Sequence, residues 1–459
     1  MNSKQHSWLL IFCCSFLFQF ANAQPGKSRI AEEDILKIYE RQLAAGYVTR
    51  GMSILEITTY MEKGKDGISS LQDVAEELQS VFPENLQDKI AVLFFFFNHD
   101  SLYRYFIVPG AIREKKIIPI KKYELEKLNT DVYNALNIYD LVANRAPRKR
   151  GLKPAKETTS AKISFANAIK NATTVLLPES FDSTYQHLVI VPSFSIGTFP
   201  FQLLQPYKDS SYLIDKCSFS IAPSLLDLFA IRKRIINKYG QNIASTTFSL
   251  EKPLFVCNPK YPTNTEYIFP NLPGAKKEIT NTIPFVKQYT LFEGANATKI
   301  NIINKIMDCD VIYFATHAMS AEKNPLDNNF LVLSGNTDPF LTSRNIMALR
   351  DTTYSDEHKF PELVILSACQ TGLGRSMEAG ITGGLARSFL IAGANQVIMS
   401  LWSVDDEATA YLMNRFVYYL QKPNLFVPSE PLRLAELDTK KKFPHPSQWA
   451  SFSVYGITY

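Results

Sequence analysis

Pro361-Glu362-Leu363-Val364-Ile365-Leu366-Ser367-Ala368-Cys369-Gln370-Thr371-Gly372 is an unbroken apolar run that ends in a thiol and then a glycine turn. The segment Asp310-Val311-Ile312-Tyr313-Phe314-Ala315-Thr316-His317 has the same shape and ends in an imidazole, 52 residues before the thiol. Short continuous apolar runs of this kind suit central parallel strands covered on both faces, rather than half-exposed strands, which alternate. Parallel neighbours finish on the same side of their sheet, and reactive groups of open α/β sheets gather at the carboxyl ends of strands. The two runs therefore predict that Cys369 and His317 meet as a nucleophile and its general base. His358 is excluded as the base. It precedes the strand that Cys369 follows, which places it roughly 25 Å or more away at about 3.3 Å per residue.

The flanking sequence alternates in the same way. Strands are expected at 187–192, 253–257, 288–292, 310–316, 329–333, 362–368 and 395–402. Helices are expected between them and after them, at 224–238, 273–283, 298–307, 343–349, 382–392 and 405–421. Such alternation argues for an α/β fold in which helices cover both faces of a sheet. Further upstream, Ile90 to Phe97 and Tyr103 to Val108 read as a hairpin across Asn98-His99-Asp100-Ser101, followed by a helix faced by Leu125, Leu128, Val132, Leu136 and Tyr139. Residues 24–80 have helical spacing at Ile35, Ile38, Tyr39 and Leu43, and again at Leu71, Val74, Ala75 and Leu78. They show no repeat period. Between these regions, residues 144–162 carry the basic, proline-broken run Arg145 to Lys156, which reads as a solvated loop and a candidate site of proteolytic processing.

The chain has 459 residues, enough for two or three domains, and a formal charge of only +5. That charge is no electrostatic footprint for DNA or RNA, so no nucleic-acid partner is expected. Met1 to Ala23 has a lysine in its leader, an apolar stretch from Trp8 to Phe20 and Ala21-Asn22-Ala23 as a cleavage site. These features predict a signal peptide (1–23), export to the periplasm or medium, and no stable membrane span. Beyond the leader, Cys217, Cys257, Cys309 and Cys369 are too few and too scattered for a disulfide framework. The first three lie in or beside apolar strand-like runs and are expected to be buried thiols. With no CxxC pair and no HExxH, neither metal nor cofactor is expected.

Several ordered landmarks carry a family resemblance. They are Leu366 to Gly374 (LSACQTGLG), Gly384 to Leu390, Val397 to Thr409, Phe199-Pro200-Phe201-Gln202, Leu272-Pro273-Gly274-Ala275 with Glu278, the Thr316-His317 strand end, and the closing Pro444-His445-Pro446 with Trp449 to Gly456. Together they resemble the CHAT domain, a group of caspase-like cysteine peptidases related to separase, caspases and gingipains. The resemblance implies a three-layer α/β/α caspase-like sheet. A short helical segment (24–80) leads into a degenerate caspase-like half (81–250), and a catalytic half (251–459) follows.

It further implies that Ser400 and Trp402, on the strand after the Cys369 helix, line a groove for an extended substrate; Asp405 and Asp406, which follow, are candidates to read a basic substrate residue. As an N-cap, Asp405 has a competing structural task, and Trp402 divides between groove wall and core. An oxyanion formed by thiolate attack needs fixed donors, for which the N–H groups of Cys369 and Ala318 are the best placed. Ala318 stands where the family usually has glycine, and Ala379-Gly380-Ile381 where it commonly has Gly-Glu-Gly. The expected function is cleavage of protein or peptide substrates, with an activating protein partner as a further expectation. The rival readings are a catalytically inactive caspase-like interaction module and a thiol amidase or transferase acting on other substrates.

Overall fold

The structure is a computed structural model. It describes residues 32–48, 68–82, 84–138, 148–149, 163–240, 250–320, 324–350, 360–368, 384–402, 405–422 and 428–457. The expected leader, Cys369 with its glycine turn, His358 and most of the basic run lie outside the described residues.

Two helices open the chain, α1 (Glu32–Val48) and α2 (Leu71–Val81). They bury the expected faces, Ile35, Tyr39 and Leu43 on the first and Leu71, Val74, Ala75 and Leu78 on the second. Strands β1 (Ile90–Asn98) and β2 (Ser101–Val108) form the predicted hairpin. Its two turn residues, His99 and Asp100, both have positive φ, as a two-residue turn matched to strand twist requires. A third strand, β3 (Ala111–Pro119), has no counterpart in the sequence reading. It is the sheet's edge, with half-exposed alternation and four consecutive charged residues, Arg113 to Lys116, and a charged edge of that kind discourages pairing with another chain.

Helices α3 (Lys122–Ala135) and α4 (Phe165–Leu176) flank the basic run. Of that run, the two-residue strand β4 (Arg148–Lys149) is described, and its backbone pairs with β8 (Tyr267–Ile268). Then follow β5 (His187–Val191), β6 (Ser218–Ile221), α5 (Leu225–Tyr239), β7 (Leu254–Pro259), α6 (Pro273–Thr282) and β9 (Thr290–Gly294). After these come α7 (Lys299–Ile306), β10 (Val311–Ala315), β11 (Ala318–Met319), β12 (Phe330–Val332), β13 (Phe340–Thr342) and α8 (Ser343–Ala348). The last elements are β14 (Leu363–Ser367), α9 (Gly384–Ala392), β15 (Gln396–Ser400), α10 (Asp406–Leu420), α11 (Ser429–Lys442) and β16 (Phe452–Gly456).

Eleven strands make one sheet in the order β3-β2-β1-β5-β6-β16-β15-β14-β10-β7-β9. Its central members are parallel apart from β15 and β16, which run antiparallel to each other. The chain's last strand, β16, lies between β6 and β15 and so joins the two expected halves into a continuous sheet. No local pattern announces that junction, because it depends on pairing between residues more than 200 positions apart.

Around β10 and β14 the three layers follow from side-chain parity. Val311, Tyr313 and Ala315, with Leu363 and Ile365, face α6, α10 and α11. Ile312 and Phe314, with Val364 and Leu366, face α7, α8 and α9 on the other side. Each fully buried valine, leucine, isoleucine or phenylalanine among these contributes about 1.5–3 kcal/mol, and a polar residue on either face needs a partner to offset its desolvation.

Candidate active site

Strands β10 and β14 are adjacent and parallel, with Val311 opposite Leu363 and Ala315 opposite Ser367. His317 stands two residues beyond Ala315, and Ala368 is the last described residue of the Cys369 strand. The adjacency expected from the two apolar runs is present, and it sets the His317 end of one strand beside the Ala368 end of the other.

The His317 ring is fully buried and held from one side. Its Nε2–H donates to the Pro270 carbonyl at 2.6 Å, while Nδ1 is buried with no hydrogen-bond partner among the described residues. A carbonyl only accepts, so the proton belongs on Nε2 and Nδ1 carries the open lone pair. Burial lowers the imidazole's affinity for a second proton, and the Pro270 carbonyl partly offsets this. The ring is therefore neutral at pH 7 and fit to accept a proton at Nδ1. The rings of Tyr261 and Phe269 lie tilted against it at 4.8 and 5.9 Å between centroids. Thr316 steadies the strand end through its hydroxyl, which donates to the Val332 carbonyl at 2.6 Å.

Beyond His317 the chain enters β11, where Ala318 is paired with Leu331 of β12. Val332 N donates to the His317 carbonyl at 2.9 Å, so Ala318 and Leu331 form a non-hydrogen-bonded pair. In that register the Ala318 N–H points away from β12 and takes no part in the β11–β12 pairing.

On the other strand, the carbonyl of Ala368 accepts from the Ser400 hydroxyl at 3.0 Å. Ser400 is buried and supports the residue just before Cys369 rather than facing a groove. Trp402, expected to line that groove or to lie in the core, is 0% exposed. Its Nε1–H donates to the Ser447 carbonyl at 2.8 Å, and Tyr133 packs edge-on at 5.5 Å. The indole is core here, because the surrounding elements close over it from both halves of the sheet. Asp405 caps α10, accepting from the N–H groups of Glu407 and Ala408 at 3.0 and 3.3 Å, and remains exposed.

Pro270, Glu278, Tyr313 and Ser367 were not expected at the site. The Glu278 carboxylate accepts from the Tyr313 hydroxyl and is hydrogen-bonded to Ser367. Burial raises this acid from 4.5 to about 7. A signal was present in the sequence: Tyr313 and Ser367 are the polar interruptions of otherwise apolar buried runs, and buried polar groups have partners. The thiols among the described residues are Cys217, Cys257 and Cys309. Burial raises Cys257 and Cys309 to about 12 and Cys217 further, and the three are free thiols.

Comparison with known proteins places this geometry. Residues 165–457 match the CHAT domain. The chain is 23% identical over 308 residues to tetratricopeptide repeat protein 28 of Mus musculus, covering 59% of this chain and 12% of that protein. It is likewise 23% identical over 305 residues to the Homo sapiens protein of the same name, with the same coverage of 59% and 12%. The matched region thus spans about an eighth of the length of these curated relatives. Among solved structures, separase in the Saccharomyces cerevisiae separase–securin complex superposes with a TM-score of 0.51 at 11% identity, covering 91% of this chain and 33% of separase. The α/β sheet expected from the sequence is therefore a caspase-like one, and with well over half of its length matched, the chain belongs to the CHAT domain family.

Proposed function

We propose that this protein is a cysteine endopeptidase in which the Cys369 thiolate attacks a peptide carbonyl and His317 serves as general base. The observation that carries this reading is the His317 ring itself: Nε2 is committed to Pro270, and Nδ1 is open at the end of the strand beside that of Cys369. The thiol proton passes to Nδ1, and sulfur adds to the carbonyl carbon. The resulting oxyanion is held by the N–H groups of Ala318 and Cys369. Collapse expels the amine, which takes the proton from His317. Water, deprotonated by the same imidazole, then releases the carboxylic acid from the thioester.

Ser400 holds the Ala368 carbonyl just before Cys369, and Asp405, exposed at the start of α10, is the candidate contact for a basic substrate residue. Export fits the leader, with processing near Ala23 that N-terminal sequencing of the secreted protein would detect. Among the described residues no helix is long and apolar enough to cross a membrane. The separase neighbour was solved together with securin, and an activating protein partner for this chain belongs to the same reading.

The test is a thiol-reactive probe on folded protein. It should label Cys369, lose that label in Cys369→Ala and label far more slowly in His317→Ala. A folded sample whose Cys369 stays unlabelled would favour the second reading, a caspase-like interaction module without activity. That reading draws on the curated relatives, which are named for repeats and not for catalysis.

A further inference from the structure

Against the carboxyl-terminal parts of β10 and β14 lies a carboxylate that the peptidase mechanism does not use. Glu278 sits in the second turn of α6 and is 5% exposed. It accepts from the hydroxyl of Tyr313 on β10 and from that of Ser367 on β14. Tyr313 lies four residues before His317, and Ser367 lies two residues before Cys369. Tyr313 is opposite Ile365 in the register, so Ser367 is the next side chain up on the same face of the sheet.

The same helix is tied to the site at its other end. The chain leading into α6 supplies the Pro270 carbonyl that receives the His317 Nε2–H. Helix α6 is itself held closely against α10. A Cβ on Gly274 would fall 2.3 Å from Asp406 Cγ, so only glycine permits the approach. Helix α6 and the segment leading into it therefore touch the base through Pro270, the base's strand through Tyr313 and the nucleophile's strand through Ser367.

We propose that Glu278 is a positioning residue for the peptidase reaction: by tying α6 to both β10 and β14, it sets the distance between the imidazole and the sulfur. The proposal rests on the peptidase reading. A buried acid without such a task is a liability, since desolvation disfavours its charged form. Asp406, facing it from α10, pushes in the same direction, while the Tyr313 and Ser367 hydroxyls offset part of the cost.

The experiment compares the rate of Cys369 alkylation by iodoacetamide across pH 5–9 in the wild type, Glu278→Ala, Glu278→Gln and Tyr313→Phe, each checked for folding by thermal melting. Misplacement of reacting groups by an ångström costs about a hundredfold, so that loss is expected for Glu278→Ala. Glu278→Gln keeps a hydrogen-bonding group in place. It should recover most of the rate while losing the component of the pH profile that belongs to the carboxyl, a change that a merely structural role would not produce. Tyr313→Phe should fall between them, and it reports even if Glu278→Ala fails to fold. Wild-type labelling together with an unchanged rate and profile in the folded variants would overturn this proposal alone. A wild type that does not label would overturn the peptidase reading, and this proposal with it.

Discussion

Replacing Glu278 by glutamine should flatten the pH dependence of stability, and the size of the effect follows from the structure. The carboxyl titrates at 4.5 when unfolded and at about 7 in the folded protein, raised chiefly by burial. Below the unfolded value both states hold the proton, and the group is neutral toward folding. As pH rises above 4.5 the unfolded chain releases its proton while the native protein keeps it, so stability falls by about 1.4 kcal/mol per pH unit. By the time the native carboxyl ionises near pH 7, the accumulated loss is about 3 kcal/mol. Above that pH it stays lost.

Urea unfolding at unit steps from pH 4 to pH 9, in the wild type and in Glu278→Gln, isolates this contribution because every other titrating group is common to both. The difference in unfolding free energy should move by about 3 kcal/mol in favour of the variant between the acid and alkaline ends. Parallel curves would show that the carboxyl titrates alike in both states, and they would refute the claim that it is desolvated. A gain in alkaline stability in Glu278→Gln joined to a loss of Cys369 reactivity in Glu278→Ala would mark Glu278 as retained for function at the expense of stability.

Trp402→Ala should destabilise the protein by about 3–5 kcal/mol, as deletion of a fully buried tryptophan does, measured by urea unfolding. A variant with unchanged stability but altered cleavage preference would instead return the indole to a substrate groove. His187, buried between the Ser218 and Ser220 hydroxyls at 2.9 and 3.2 Å, is lowered from 6.5 to about 3 by burial. The unfolded state therefore binds the extra proton first. Stability should fall as pH drops from 6.5 toward 3, by as much as about 5 kcal/mol, and His187→Gln should remove that slope. Equal acid sensitivity in the two proteins would contradict this.

The second half of the sheet, from β7 to β15, was largely legible in the linear sequence, because its strands are short apolar runs bounded by turn residues and its helices have caps and one apolar face. The runs ending at Ala315 and Ser367 are β10 and β14, and their kinship as parallel neighbours follows from being apolar on both faces. Helices α6, α7, α8 and α10 begin and end within about two residues of the expected bounds, as boundary fraying allows. Strands β3 and β16 were not legible. The first alternates weakly and is charged, and the second is a polar-looking Phe-Ser-Val-Tyr segment whose burial depends on neighbours from distant parts of the chain.

At the site, residue type and strand position were enough to nominate His317 and Ala318, since both lie at the end of a strand whose direction the sequence sets. The sequence could not say which imidazole nitrogen is open. That depends on Pro270, which a separate segment delivers to the ring. Nor could it separate groove from core for Trp402, or reveal that Glu278 spans two strands, because burial and hydrogen bonding at those positions arise only when elements far apart in sequence pack together. Local periodicity reports which way one element faces, and the chemistry of this site depends on what three elements bring to the same point.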